Sequence, residues 1–434
     1  MLVRAVGFWA LAASVVNVTI GGSIFALPGT LAASMGAAAP LAFVLGAVLF
    51  VPIVLCFASA GSRVTVTGGP YSYVAVAFGA FPGFAIATFF WISSVAGSGT
   101  LSAILADQVA HVVPLVSQPV PRALFMLGIY GLLIALNARG IKLGAAVIVV
   151  FAAAKVLPLA LLAVVGSGHV HLDNLRITAA PTWASIGSSL VIVVFAYSGI
   201  ETALAPAGEV RDPVRVIPKA AFAGVAVVIA LYVVLQWMVQ GVLGSTLAGN
   251  SAPLAAVADL IVRGGGHVMV LVASVSLLGC LQGDLLGSSR LLYALARDGF
   301  LPAPLAALTR VRRVPLLTLV VHSCVAWILA SVGTFTTLAL VSGGAFCFVY
   351  IVSCAAAWQL QRKNLGQTQN PLRLRGGAMI PLLAIVGLCF ILATLQRAEW
   401  IAIGCTVLAI AVLYAGTSVF RHRAPSKKGA GRGN

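Results

Sequence analysis

The chain is 434 residues long, 61% of them hydrophobic and 8% charged, against roughly 25% charged in a soluble globular protein. A soluble fold of this length would leave too much apolar surface uncovered, so the solvent is read as a lipid bilayer. The net charge of +17 is scattered over loops rather than gathered on one domain, which speaks for membrane topology and against a nucleic-acid partner.

A spanning helix needs about 20 mostly apolar residues. Twelve such stretches are expected, at 6–33, 39–60, 82–105, 122–137, 143–165, 183–205, 219–243, 266–290, 315–332, 337–358, 379–396 and 399–420. The first is read as a retained helix rather than a secretory signal. Arg4 is its only leading charge, and Asn17, Thr19 and Gly21-Gly22-Ser23 interrupt what should be a smooth apolar core. Lys and Arg collect on cytoplasmic loops. With the N-terminus inside, the opposite face holds only Arg122, Arg176, Arg263 and Arg397, and Lys155 alone lies within a span. Both termini are therefore expected in the cytoplasm. The cysteines at 56, 280, 324, 347, 354, 389 and 405 all fall in apolar stretches without Cys-x-x-Cys spacing, so neither a disulfide framework nor a metal site is expected. No cofactor is expected either. Gly128 in the fourth span is read as a packing glycine, and the polar, Gly-rich residues 421–434 as a disordered cytoplasmic tail.

Irregular backbone at membrane depth survives only where protein or a polar cavity covers it. Two stretches look irregular. In the first span, Thr19-Ile20-Gly21-Gly22-Ser23-Ile24-Phe25 carries adjacent glycines, with Pro28 close behind; in the sixth, Phe195-Ala196-Tyr197-Ser198-Gly199-Ile200-Glu201 carries Ser-Gly. If the first ten spans are two repeats of five, these are corresponding positions, and paired interruptions point to the binding site of an inverted-repeat transporter. The plainer alternative is close helix packing at small residues; the matched placement favours the site. Exposed N–H groups at the start of a half-helix hold a carboxylate, and freed carbonyls at the end of the preceding half hold an ammonium. Gly21, Gly22, Ser23 and Ile24 are thus assigned to a substrate carboxylate. The carbonyls of Ile20, Phe195, Ala196 and Ser198, beside Gly199, are assigned to its amine, and Phe195 to a gate over the bound solute.

Three ionisable residues stand within spans, where charge costs several kcal/mol: Lys155, Glu201 and Asp284. Lys155 lies about twelve residues into the fifth span, ~18 Å at 1.5 Å per residue, too deep to snorkel. It is either a tether for backbone carbonyls or an amine that loads and releases a proton as its access to water changes. Glu201, beside the second interruption, is either a proton carrier or a capped structural carboxylate. Asp284 is either the partner of Arg290 in a local ion pair, the preferred reading, or a participant in transport.

Several stretches together resemble the amino acid-polyamine-organocation transporter superfamily, in particular bacterial amino acid permeases. They are Ile20-Gly21-Gly22-Ser23-Ile24-Phe25, Gly68-Gly69-Pro70-Tyr71-Ser72-Tyr73, Phe195 through Glu201, Gly208-Glu209-Val210-Arg211-Asp212-Pro213 running on to Ala220, and Arg290 through Pro302. The resemblance implies an all-α membrane protein with a leucine-transporter-like fold: repeat one over about 6–165, repeat two over about 183–358, both with broken first helices, and two extra helices over about 379–420. It also implies alternating access around a central site. Lys155 in Lys155-Val156-Leu157-Pro158 is similar to the fifth-span lysine of proton-coupled members, where an ammonium stands in for a sodium ion; Lys155 and Glu201 are accordingly assigned to proton coupling. One departure is the order Gly22-Ser23, where the family commonly has Ser-Gly.

These features exclude some classes. The loop after the second span lacks the charged motif of major-facilitator transporters, and no nucleophile elbow or metal-protease motif supports an enzyme. A passive solute pathway is harder to exclude and stays as a lesser alternative, although paired interruptions suit a closed midplane site better. The expected activity is proton symport of an amino acid, with exchange as the alternative and sodium coupling a lesser one. The expected partners are the amino acid, the proton and the lipid bilayer. Trp91, Ser94, Cys280 and Ser342 are candidates for the side-chain pocket, and because no further acid is placed there, neutral substrates are expected.

Overall fold

The computed structural model describes residues 6–65, 69–138, 145–204, 210–310, 314–366, 371–394 and 400. Gly68, Gly208 and Glu209 of the motifs above, the loop residues Arg4, Arg139, Lys142, Arg312, Arg313 and Arg397, Cys405, most of the span 399–420 and the tail 421–434 lie outside that set.

Among the described residues the regular structure is helical. The α-helices are α1 (Phe8–Thr19), α2 (Ser23–Met35), α3 (Ala39–Arg63), α4 (Pro70–Phe78), α5 (Ala80–Ala110), α6 (Pro119–Ala138), α7 (Ala145–Ser167) and α8 (Trp183–Tyr197). They continue with α9 (Ile200–Ala203), α10 (Pro213–Leu243), α11 (Pro253–Ile261), α12 (Gly265–Arg297), α13 (Leu316–Val332), α14 (Phe335–Arg362) and α15 (Met379–Ala393). The β pairing in this set is an isolated bridge between Val6 and Val210. Seven of the described helical segments are long and apolar enough to cross a membrane, and α1, α13, α15 and the later part of α7 are shorter apolar helices. The described residues of the expected spans from 39–60 to 379–396 each fall on one helix, except those of 183–205, which fall on α8 and α9; those of the expected span 6–33 fall on α1 and α2.

Local chemistry sets several boundaries. Thr182 caps α8 by accepting from the Ser185 amide, and Thr334 caps α14 by accepting from the Thr337 amide. Pro213 opens α10 at a position that needs no N–H donor. Unlike in a soluble protein, large apolar residues face outward as well as inward: Val44, Val48 and Val51 on α3, Leu124 and Leu132 on α6, Leu157 and Leu161 on α7, Leu382 and Val386 on α15 are exposed. Small polar residues are inside: Ser93, Ser94, Ser98, Thr100 and Ser102 on α5 are all buried. An apolar exterior around a small-residue interior is how membrane helices pack, because lipid accepts the leucines and close backbone approach holds the bundle. Gly128 departs from expectation. It lies on an exposed face of α6, and a Cβ there would meet nothing within 4 Å; one glycine in an apolar run does not reveal which face turns inward.

α5 runs through the middle, against α12, α13 and α14. α1 packs on α7, α9 and α10, and α2 on α8. These contacts bring both irregular stretches beside α5 and α12.

Candidate functional site

The site begins where α1 stops. Ile20 leaves the helix at φ −75°, ψ 75°, and α2 starts at Ser23 with no side chain capping its first amides. The other stretch is built alike: α8 ends at Tyr197, and Gly199 takes φ +127° before the short α9. Only glycine adopts that backbone readily. The two stretches abut. A Cβ on Gly199 would come within 3.0 Å of the Thr19 amide nitrogen and 3.1 Å of its Cα.

Polar groups freed by the first stretch are satisfied from far away in sequence. Lys155 Nζ on α7 donates to the carbonyls of Asn17 (2.9 Å) and Ile20 (3.2 Å). Tyr232 on α10 donates to the Thr19 carbonyl at 3.1 Å, and Ser276 on α12 to the Gly21 carbonyl at 2.7 Å. Lys155 is buried, at 1% exposure, so each of these bonds exchanges a buried, unpaired carbonyl for a paired one. The Ile20 carbonyl, expected to hold a substrate amine, already accepts from Lys155 and, at 3.4 Å, from Ser276.

A cavity opens beside these stretches. Gly21, Gly22, Ser23, Phe195, Ser198 and Gly199 line it; so does Glu201. Ile20, Ile24 and Ala196 are fully buried outside its lining. Its volume is about 60 Å³; at ~10–15 Å³ per water this is space for a few waters or a small solute. Gly22 is closely covered: a Cβ would sit 1.8 Å from Leu277 Cδ2. The Phe195 ring lies against α5, where a Cβ on Gly97 would be 3.5 Å from its Cε2. Glu201 is held on both oxygens, by the Gly199 amide on Oε1 and the Tyr350 hydroxyl on Oε2, each at 2.8 Å.

Of the side-chain pocket candidates, Ser94 and Cys280 line the cavity, whereas Trp91 and Ser342 do not. Ser342 exchanges hydrogen bonds with Ser93 instead. Asp284 is the main departure. It does not pair with Arg290, which is exposed; it lines the cavity and accepts from Ser94, from Ser98 at 2.6 Å and from Ser288 at 3.4 Å. Six residues along a helix turn through about 600°, which leaves Arg290 about 120° away from Asp284 around the helix. A signal for the cluster was present in the spacing: Cys280, Asp284 and Ser288 recur every four residues, as do Ser94 and Ser98, so each set shares a face. The ground for expecting neutral substrates, an acid-free pocket, is thereby removed.

A family model described as amino acid permease matches residues 6–418. The chain is 24% identical over 410 residues to a serine/threonine exchanger of Bacillus subtilis, covering 91% of each. It is 27% identical over 364 residues to an uncharacterized amino acid permease of the same organism, covering 81% of this chain and 84% of that one. It is also 26% identical over 324 residues to the chloroplastic cationic amino acid transporter 9 of Arabidopsis thaliana, covering 70% of this chain and 57% of that protein.

Proposed function

The chain belongs to the amino acid permease family, and from that premise we propose that it is a secondary transporter that carries amino acids through the cytoplasmic membrane by alternating access and proton symport. The observation that carries this reading is the contact between the two interruptions, Gly199 against Thr19, at the wall of one cavity. A midplane site between two broken helices is what an inverted-repeat transporter uses. In this reading α1–α2 and α8–α9 are the first helices of two five-helix repeats, 379–420 supplies two extra helices, and both termini are cytoplasmic.

The start of α2 offers uncapped amides at its positive end, which suits a substrate carboxylate approaching over Gly21, Gly22 and Ser23. Phe195 is the gate. Lys155 holds the unwound carbonyls through its ammonium, so release of its proton loosens the segment that binds substrate; that links proton and solute. Glu201, tied to the Gly199 amide and to Tyr350, does the same for the second interruption. A fixed ammonium disfavours sodium in the same place. Exchange is the second reading, favoured by the name of the Bacillus relative.

The test is uptake of labelled amino acids by proteoliposomes. An inward proton gradient should drive accumulation, and replacing sodium with choline should leave it intact. Lys155→Ala should lose gradient-driven accumulation while staying monodisperse. Uptake that requires amino acid inside the vesicles, with no response to a proton gradient, would replace symport by exchange; loss of uptake in choline would end the proton reading.

A further inference from the structure

The carboxylate of Asp284 faces the same cavity as the start of α2, and its side chain is 21% exposed. Three hydroxyls already point at it, from Ser94, Ser98 and Ser288. A carboxylate has about four acceptor positions, so the hydroxyls fix its orientation without exhausting it. Its separation from the backbone site is set by α12. Cys280, one turn earlier on the same face, lies where a Cβ on Gly21 would meet its Sγ at 2.9 Å. The carboxylate is therefore about one helical turn, ~5.4 Å, from the first interruption.

A negative charge at this depth calls for a counterion, and the described residues do not supply one. The His322 ring is fully buried, with Nε2 at 3.2 Å from Ser98 Oγ and 3.7 Å from Asp284 Oδ2, while its Nδ1 has no partner. A doubly protonated ring would bury an unpaired N–H at Nδ1. The neutral ring, with its proton on Nε2, suits these partners. Lys155 is committed to the carbonyls of Asn17 and Ile20.

We propose that Asp284, oriented by Ser94, Ser98 and Ser288, is the subsite for a protonated amine at the end of a substrate side chain, so that the substrate is a basic amino acid with a short methylene chain. The α-carboxylate then lies at the start of α2, and the side-chain ammonium reaches across one turn of α12 to supply the missing charge. The small cavity favours the 2,4-diaminobutyrate, ornithine and lysine series over the bulkier arginine.

This inference rests on the transport reading, and one experiment separates the two. Proteoliposomes holding the full chain are given labelled ornithine, lysine, alanine and serine in parallel, and then the Asp284→Asn variant is compared. Saturable uptake of ornithine or lysine at least 10-fold above alanine and serine is expected, and Asp284→Asn should lower that ratio at least 10-fold. Uptake of alanine or serine but not of the basic series overturns the inference and leaves transport standing, a result that needs only the unaltered protein. An unchanged ratio in Asp284→Asn overturns it too. Uptake of none of the four overturns both.

Discussion

Gly22→Ala tests how tightly the first interruption is built. The added Cβ would lie 1.8 Å from Leu277 Cδ2, 2.9 Å from its Cγ and 3.1 Å from Leu101 Cδ2. Carbon atoms rest at about 3.5–4.0 Å, so Leu277 has to retreat by roughly 2 Å. It is fully buried, and overpacking of this kind costs about 1–3 kcal/mol. Either Leu277 is displaced or the start of α2 moves, and movement of its amides weakens carboxylate binding; at ~1.4 kcal/mol per factor of ten, a tenfold loss of affinity is expected. Leu277→Ala alone should destabilise by about 2–5 kcal/mol through the cavity it leaves. Combined, the methyl of one occupies the space vacated by the other, so the double variant should be better than the sum of the singles by about 1–3 kcal/mol. Equilibrium binding and thermal unfolding of the purified proteins measure both quantities. Gly128→Ala, on the open face of α6, is the control and should stay within about 0.5 kcal/mol. The reasoning is refuted if Gly22→Ala is as silent as the control, or if Gly22→Ala and Leu277→Ala simply add.

Gly199→Ala should destabilise by at least ~2 kcal/mol, since it combines a positive φ with a Cβ 3.0 Å from the Thr19 amide; a thermal melt equal to that of the unaltered protein would contradict this. Tyr350→Phe removes one of the two donors to Glu201 and should cost about 1.5–3 kcal/mol, the range for a hydrogen bond to a charged group. With Glu201→Gln it should form a non-additive cycle, and strict additivity of the two melting shifts would separate the residues.

The helices were legible because apolar runs of spanning length end at glycines, prolines and basic residues, and α3, α6, α12 and α14 lie close to their expected positions. The end of α1 at Thr19 and the start of α2 at Ser23 have a similar local reason, since Gly21-Gly22 followed by Pro28 weakens a helix. What the sequence concealed was facing. In water, an amphipathic stripe marks the buried side of a helix. In lipid both sides are apolar, so no apolar stripe decides whether Asp284 turns toward Arg290 or toward Ser94, or whether Gly128 packs. A four-residue recurrence of polar atoms was the available signal, and it holds for Ser94 and Ser98 as for Cys280, Asp284 and Ser288.

The other concealed feature is the division of labour across the first interruption, because the groups that satisfy it come from 135 and 255 residues away. An unwound segment at membrane depth has freed carbonyls on one side and freed amides on the other, and each needs a partner. Lys155, Tyr232 and Ser276 occupy carbonyls from Asn17 to Gly21, whereas no side chain caps the start of α2. Side chains therefore complete the electronegative side, whereas on the other side the Gly21 and Phe25 amides bond back to the Thr19 and Gly22 carbonyls and no side chain caps those of Gly22, Ser23 and Ile24. In the proposed transport reading, that side suits a carboxylate, while the same segment has few free acceptors for an ammonium. For the proposed substrate, acceptors for a cation then come from elsewhere in the lining, and among the described residues the lining carboxylate hydrogen-bonded only by hydroxyls is Asp284.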